Sequence, residues 1–202
     1  RLPKTASIMV DIPIGFPKHN TYPRLCDKQA KDRLGKRHVC VFYTPLRSVV
    51  NACTNKSYKE ACKIALERTG KKMSQQTFNI LPKIREADQA MKAADQSHIF
   101  EVHPELCFMA LNQAKPVPFS KKEWPGFEIR YTILRNLFSQ DEIDSVLHTY
   151  PRKLVARDDV LDALVAAYTG FLHIQGKTES ISNDPSWDEK RLRMEMIIPR
   201  IA

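Results

Sequence analysis

Apolar positions along the chain follow two different periods, and the periods predict the elements. Ala6 to Val10 is a short, largely apolar run closed by Asp11 and the breakers Pro13, Gly15 and Pro17. A run this short predicts a strand buried on both faces, as in parallel sheets. Asp11 then falls at the strand's carboxyl end, the edge where open α/β sheets collect ligands. HIFEVHPE, at 98–105, alternates instead, with Ile99, Glu101 and His103 on one face and Phe100 and Val102 on the other. That alternation predicts a second strand. MEMIIP, at 194–199, is a candidate final strand.

Most of the remaining signals are helical. Pro23 to Leu34 reads as a helix closing on Gly35, HVCVFY at 38–43 reads as extended, and Thr44-Pro45 reads as an N-cap followed by a first-turn proline. Ser57 and Glu60 stand at capping-box spacing before a helix that closes on Gly70, and Ser139 and Glu142 repeat the spacing before IDSVLHTY. Pro82 is expected to separate a turn, SQQTFNIL, from a helix, KIREADQAMKAAD. Pro104 starts a helix through Leu111, SKKEWPGFEIRYTILRNLF gives a lead-in loop and an amphipathic helix, and RDDVLDALVAAYTG at 157–170 gives another. The fold class is therefore α/β. There is no internal repeat and no Gly-rich phosphate loop.

Composition then narrows the partners. With 202 residues and 43% hydrophobic content, the chain can bury one substantial core and is expected to form a single domain over 1–202. A formal charge of +9 favours a polyanion such as nucleic acid or a nucleotide. Seven Lys or Arg against two Asp between Lys18 and Arg37 form a candidate basic rim. No run approaches the roughly 18 apolar residues of a membrane span, so no membrane partner is expected. Five cysteines without C-x-x-C or zinc-finger spacing read as free thiols, and with no membrane-length run and no signal-peptide pattern the cytoplasm is the default expectation. Aromatic residues make up only 8% and show no strand pattern of stacking rings, so no single-strand stacking platform is expected and backbone electrostatics should dominate nucleic-acid binding.

The acids carry the candidate chemistry. Asp11 ends one strand, Glu101 lies in the other, and Asp159 and Asp162 are three apart on one helix and so share a face. Asp162 is the awkward residue, because it sits among Val160, Leu161, Ala163, Leu164 and Val165, where a lone carboxylate needs a cationic partner or water. Like charges gathered at one spot call for a cation, and Mg²⁺ or Mn²⁺ with carboxylates is the arrangement that hydrolyses phosphodiesters in two-metal sites. Each acid also has a plain structural reading. Asp158 and Asp159 can cap the helix, Asp11 can fix a turn, Glu101 can pair with Arg or Lys, and His103 can serve as a structural hydrogen-bonder.

VDIPIGFP, SQQTFNILPKIREAD, EVHPELCF, SKKEWPGFEIR and DDVLDALVAAYTG, in that order from about Ile8 to Gly170, resemble the motif series of the microbial family called domain of unknown function 429. That family is described as predicted nucleases of RNase H-like fold. The last helix also resembles that of RuvC-type Holliday-junction resolvases, whose acidic pair has the D-x-x-D spacing of Asp159 and Asp162. The resemblance implies an RNase H-like core with a large helical insertion over about 18–97, the second half of the core over 98–202, and first strands missing before Arg1. It implies metal-binding and catalytic roles for Asp11, Glu101, Asp159 and Asp162. It makes Gln75, Gln76, Lys83, Arg85, Glu86 and His103 candidate substrate contacts, beside Lys121, Lys122 and Arg130 as candidate phosphate contacts. Cys40 stands where serine is expected in the family.

The expectation is a cytoplasmic, Mg²⁺- or Mn²⁺-dependent nuclease. The alternatives are an inactive nucleic-acid- or nucleotide-binding module of the same fold, and an assembly subunit that uses an exposed sheet edge to form a homo-oligomer.

Overall fold

The computed structural model describes residues 6–182 and 186–201. Strand β1 (Ile8–Val10) pairs in parallel with β2 (Ile99–Glu101), with Val10 opposite Glu101. The sequence predicted both strands and placed Asp11 at the first one's carboxyl end. All three residues of β1 are half-buried, not buried on both faces as expected.

Between the two strands the chain makes four helices, α1 (Leu25–Leu34), α2 (Arg47–Ala52), α3 (Tyr58–Thr69) and α4 (Gln75–Ala90). After β2 come α5 (Pro104–Leu111), α6 (Trp124–Arg135), α7 (Gln140–Thr149) and α8 (Arg157–Ile174). The C-terminal segment adds β3 (Thr178–Ser180), antiparallel to β6 (Ile197–Pro199), and the short pair β4 (Ser186–Trp187) and β5 (Arg193–Met194). The molecule is a mixed α/β protein with small sheets.

Local chemistry accounts for most boundaries. Ser57 accepts from the Glu60 N–H while the Glu60 carboxylate accepts from the Ser57 N–H, and Ser139 and Glu142 do the same at the start of α7. Gly70 closes α3 at φ 70°, the left-handed conformation that a side chain disfavours. Pro104 opens α5 at a position where its missing N–H costs no helical bond.

Three local expectations fail. Pro82 lies inside α4 without breaking it, because Leu81 and Ile84 beside it are buried and anchor both halves while the proline faces solvent. HVCVFY is no strand. Gly35–Cys40 forms a 3₁₀ turn, and the His38 and Val41 carbonyls accept from the Lys31 ammonium instead of from a neighbouring strand. Thr44 caps nothing, since α2 begins at Arg47; its own N–H donates to Asp27 Oδ2 at 2.8 Å.

Two main cores result. One gathers Phe108, Leu134, Ile143, Leu161 and Val165 from α5 to α8. The other packs Phe16, Val49, Ala61, Leu81 and Ile84 within the helical insertion. A third cluster, with Ala30, Leu34, Leu106 and Ile198, joins α1 to α5 and β6. No helix among the described residues is long and apolar enough to cross a membrane. All five cysteines are free thiols.

Arg24 stitches these parts together. Its guanidinium is fully buried and donates to Glu101 Oε1 and Oε2 at 2.7 and 2.8 Å, to Asp27 Oδ1 at 2.6 Å and to the Ile14 carbonyl at 3.0 Å. Arg24→Met keeps the bulk but leaves two buried carboxylates without their cation, which should destabilise the fold by about 3–5 kcal/mol. Urea denaturation at pH 7 measures it, and a loss below about 1 kcal/mol would show that the network does not hold the fold.

Candidate active site

The carboxyl ends of β1 and β2, the amino ends of α5 and α8 and the loop before α6 surround a cleft of about 880 Å³. Parallel pairing puts Asp11 and Val102 on the same sheet edge, just past the paired strands. Helix α8 buries Val160, Leu161, Val165 and Thr169 against the core, so Asp158, Asp159 and Asp162 take the other side of its first turns and line the cleft.

Asp162 has its cationic partner in Lys121. The Lys121 ammonium donates to Asp162 Oδ2 at 2.5 Å and to Asp159 Oδ1 at 2.9 Å, and lies 3.4 Å from Asp158 Oδ2. This one cation is shared by three acids; its own burial lowers its pKa, but Asp162 and Asp159 more than offset that and hold it above the usual lysine range. Lys121 is delivered by the tight turn at Ser120, which presses onto the first turn of α6. A Cβ at Gly126 would run into the Ser120 carbonyl, so glycine is what lets that turn sit so close.

The pairing is incomplete at Asp162, whose Oδ1 is buried with no hydrogen-bond partner. Burial pushes the Asp162 carboxyl up to about 6; Lys121 pulls it down, and Asp11 and Glu105 push it further up. Asp11 is open to solvent at the cleft surface, yet the walls around it displace enough water to raise its pKa as well. His103 and Lys121 oppose that rise, and Asp159 adds to it.

Glu101 is differently placed. It lines the cleft floor, but both oxygens accept from Arg24, and Oε2 also accepts from the Ile14 N–H at 2.6 Å. Burial pushes its carboxyl up against the pull of Arg24. The plain reading of Glu101, a partner for arginine, is the one its surroundings satisfy.

The structure divides the other candidate residues. Gln76, His103, Lys121 and Lys122 line the cleft together with Asp11, Asp159 and Asp162. His103 points Nε2 towards the Cys40 carbonyl at 3.4 Å, and its Nδ1 is buried without a partner. Gln75, Lys83, Arg85 and Glu86 lie on α4 outside it. Gln75 donates to Asn79 at 2.9 Å, and Arg85 donates to the Val50 carbonyl at 3.2 Å, fastening α4 to α2. Arg130 is no surface phosphate contact. It is buried, donating to both Glu105 oxygens at 2.7 and 2.5 Å and to the Gly126 carbonyl at 2.6 Å.

Sequence reasoning missed Arg24, Asp27 and Glu105 as parts of the cleft and read Asp158 only as a cap. Glu105 carried a signal, an acid at the start of an otherwise apolar helix. Arg24 carried none, being one of seven basic residues in a polar stretch.

The donor chemistry suits a hard divalent cation, since carboxylates with raised pKa values converge and one oxygen lacks any partner. The spacing does not close around an ion: among the described residues no three His, Cys, Asp or Glu side chains form a group able to hold one.

A mixed α/β protein with an acidic cleft at the carboxyl edge of a parallel strand pair is thus defined by geometry. The chain belongs to the family described as Protein of unknown function (DUF429), which it matches over residues 1–186. No curated protein and no solved structure matches it.

The raised pKa of Asp162 has a consequence for stability. The folded state holds this proton more tightly than the unfolded chain does, so stability falls as pH rises from 3.8 towards about 6. That interval corresponds to roughly 3 kcal/mol as an upper figure. Asp162→Asn should remove this part of the pH dependence and leave the variant more stable than the parent at pH 7. Urea melts from pH 4 to 7 check it, and parallel curves for the two proteins would contradict the burial of this charge.

Proposed function

We propose that the cleft hydrolyses phosphodiester bonds of nucleic acid and that the protein is a metal-dependent nuclease with an RNase H-like core. The observation that carries this reading is the Asp162 carboxylate, held at the cleft floor with one oxygen unpartnered and with Asp11 close enough to raise its pKa. Support for the fold comes from the parallel β1–β2 pair, from α8 packed on β1 and α5, and from the D-x-x-D pair at the start of that helix. Free thiols at all five cysteines suit the reducing cytoplasm.

In this reading Asp11 and Asp162 would hold Mg²⁺ or Mn²⁺, with Asp159 at the rim. The ion would polarise a phosphoryl oxygen and lower the pKa of a water. Lys121 pairs with the α8 acids in the resting cleft and, once they are otherwise compensated, can donate to a phosphate oxygen. Lys122 extends that positive edge. Glu101 acts through other groups: by fixing Arg24 and the Ile14 N–H it sets the path of the chain leaving Asp11.

A second reading, a nucleic-acid- or nucleotide-binding module without turnover, is favoured by two observations. Glu101 is committed to Arg24, and Lys121 already supplies positive charge among the α8 acids.

Asp11→Asn and Asp162→Asn should each lower Mn²⁺-dependent cleavage of labelled DNA and RNA substrates by roughly 100-fold or more. Both should also weaken Mn²⁺ binding in calorimetry while the circular dichroism stays unchanged. Parental activity in both variants would end the assignment. Salt-sensitive binding with no cleavage in any metal would leave the second reading.

A further inference from the structure

Beside the acidic cleft lies a second pocket of about 340 Å³, built where α1, α3 and the amino end of α4 meet the loop around Tyr43. The two share Val39, Val41, Phe42 and Gln76 in their walls, so they are neighbouring parts of one groove. Their chemistry is opposite. No carboxylate lines the second pocket, whereas Lys31, Lys71 and Lys72 do, and none of the three has an ion-pair partner among the described residues.

Its other wall is aromatic. Tyr22 and Tyr43 meet edge to face with ring centroids 6.4 Å apart, and Phe42 completes the surface. The Lys31 ammonium lies 4.9 Å from the Tyr43 ring centroid and Lys71 lies 5.7 Å away. Lys31 is fixed there by the His38 and Val41 carbonyls, whereas Lys71 and Lys72 are exposed and tied to nothing charged. Helix α4 starts at the pocket with Ser74 as its N-cap, which adds the positive end of a dipole. Low aromatic content concealed this surface in the sequence, because residues 22, 42 and 43 converge only through the packing of the insertion.

Unpaired cations around aromatic walls select a ligand that is both anionic and flat. We infer that this pocket takes one nucleotide of a single-stranded nucleic acid, its base against Tyr43 and Phe42 and its phosphate on Lys71 and Lys72. Lys71 leaves the face of Tyr43 as the base arrives. The volume lies at the lower end of small-ligand sites and suits one unpaired nucleotide. Bases paired inside a duplex cannot present a face to it. The strand then runs on past Gln76 into the acidic cleft. The identity of the ligand rests on the nucleic-acid reading of that cleft, although binding here needs neither metal nor turnover.

Fluorescence anisotropy in EDTA tests it with a labelled single-stranded oligonucleotide, the matching duplex and a competing nucleoside monophosphate. Tyr43→Leu and the double variant Lys71→Glu, Lys72→Glu should each weaken single-strand binding about tenfold or more. The lysine pair, replaced by neutral glutamines, should flatten the salt dependence by about 0.7 per residue. The monophosphate should compete only weakly, and thermal melts of all variants should match the parent. Binding within twofold of the parent in the variants, or a duplex held as tightly as the single strand, would overturn the pocket. A monophosphate that competes as well as the strand would replace the strand with a free nucleotide and overturn it too. Asp162→Asn separates the two proposals: it should lower cleavage as stated above without weakening single-strand binding in EDTA, because it removes a negative charge from the strand's path. Loss of binding in the pocket variants without any parental cleavage would sink the nuclease and keep the pocket.

Discussion

The buried guanidinium of Arg24 is the constraint on which the arrangement of the molecule depends. A cation with no exposure is tolerated only if every N–H finds an oxygen, and here the oxygens come from three separate parts of the chain: Glu101 at the end of β2, Asp27 on α1 and the carbonyls after β1. Asp27 passes the constraint on by accepting the Thr44 N–H, which places the loop shared by the cleft and the aromatic pocket. A hydrophobic contact would tolerate sliding, whereas forked hydrogen bonds to two carboxylates do not. Glu101 thereby sets where Asp11 stands.

Above that floor the electrostatics reverse. A chain with 32 basic and 23 acidic residues concentrates Asp11, Asp158, Asp159 and Asp162 in one concavity where, among the described residues, Lys121 alone pairs with the three acids of α8. Burial pushes the Asp162 carboxyl up to about 6, one monovalent cation shared among several carboxylates offsets that only in part, and its second oxygen finds no donor. Such poise opposes stability and is characteristic of positions kept for binding or chemistry. The neighbouring pocket has the complementary imbalance, with cations and no carboxylate. Side by side, the two provide for a ligand's phosphates and for an ion that would meet them.

The insertion and the core meet through polar ties as well as packing. Arg47 on α2 donates to Asp88 on α4 at 3.0 and 3.2 Å and also pairs with buried Asp188 near the C-terminal hairpin. Lys190 donates to the same Asp88 carboxylate at 2.9 Å. These contacts close the insertion onto the last strands. The cleft is therefore bordered by elements that are far apart in sequence but mechanically continuous.

What the sequence by itself determined is what near neighbours decide. The capping boxes at Ser57 and Ser139, the stop at Gly70, the start at Pro104 and the strand ending at Asp11 all depend on residues within one or two turns, and all were legible. The need of Asp162 for a cation was legible too, from its apolar flanks. Which cation it would be was not, because Lys121 is 41 positions away and reaches Asp162 only when Gly126 lets its turn press on α6. Tertiary contacts alone sent Arg130 and Arg24 inward, kept α4 intact through Pro82 and left HVCVFY without a strand to pair with. The physical reason is the same each time. A local pattern states which partner a group requires, but only the folded chain, by excluding water, determines which distant residue supplies it.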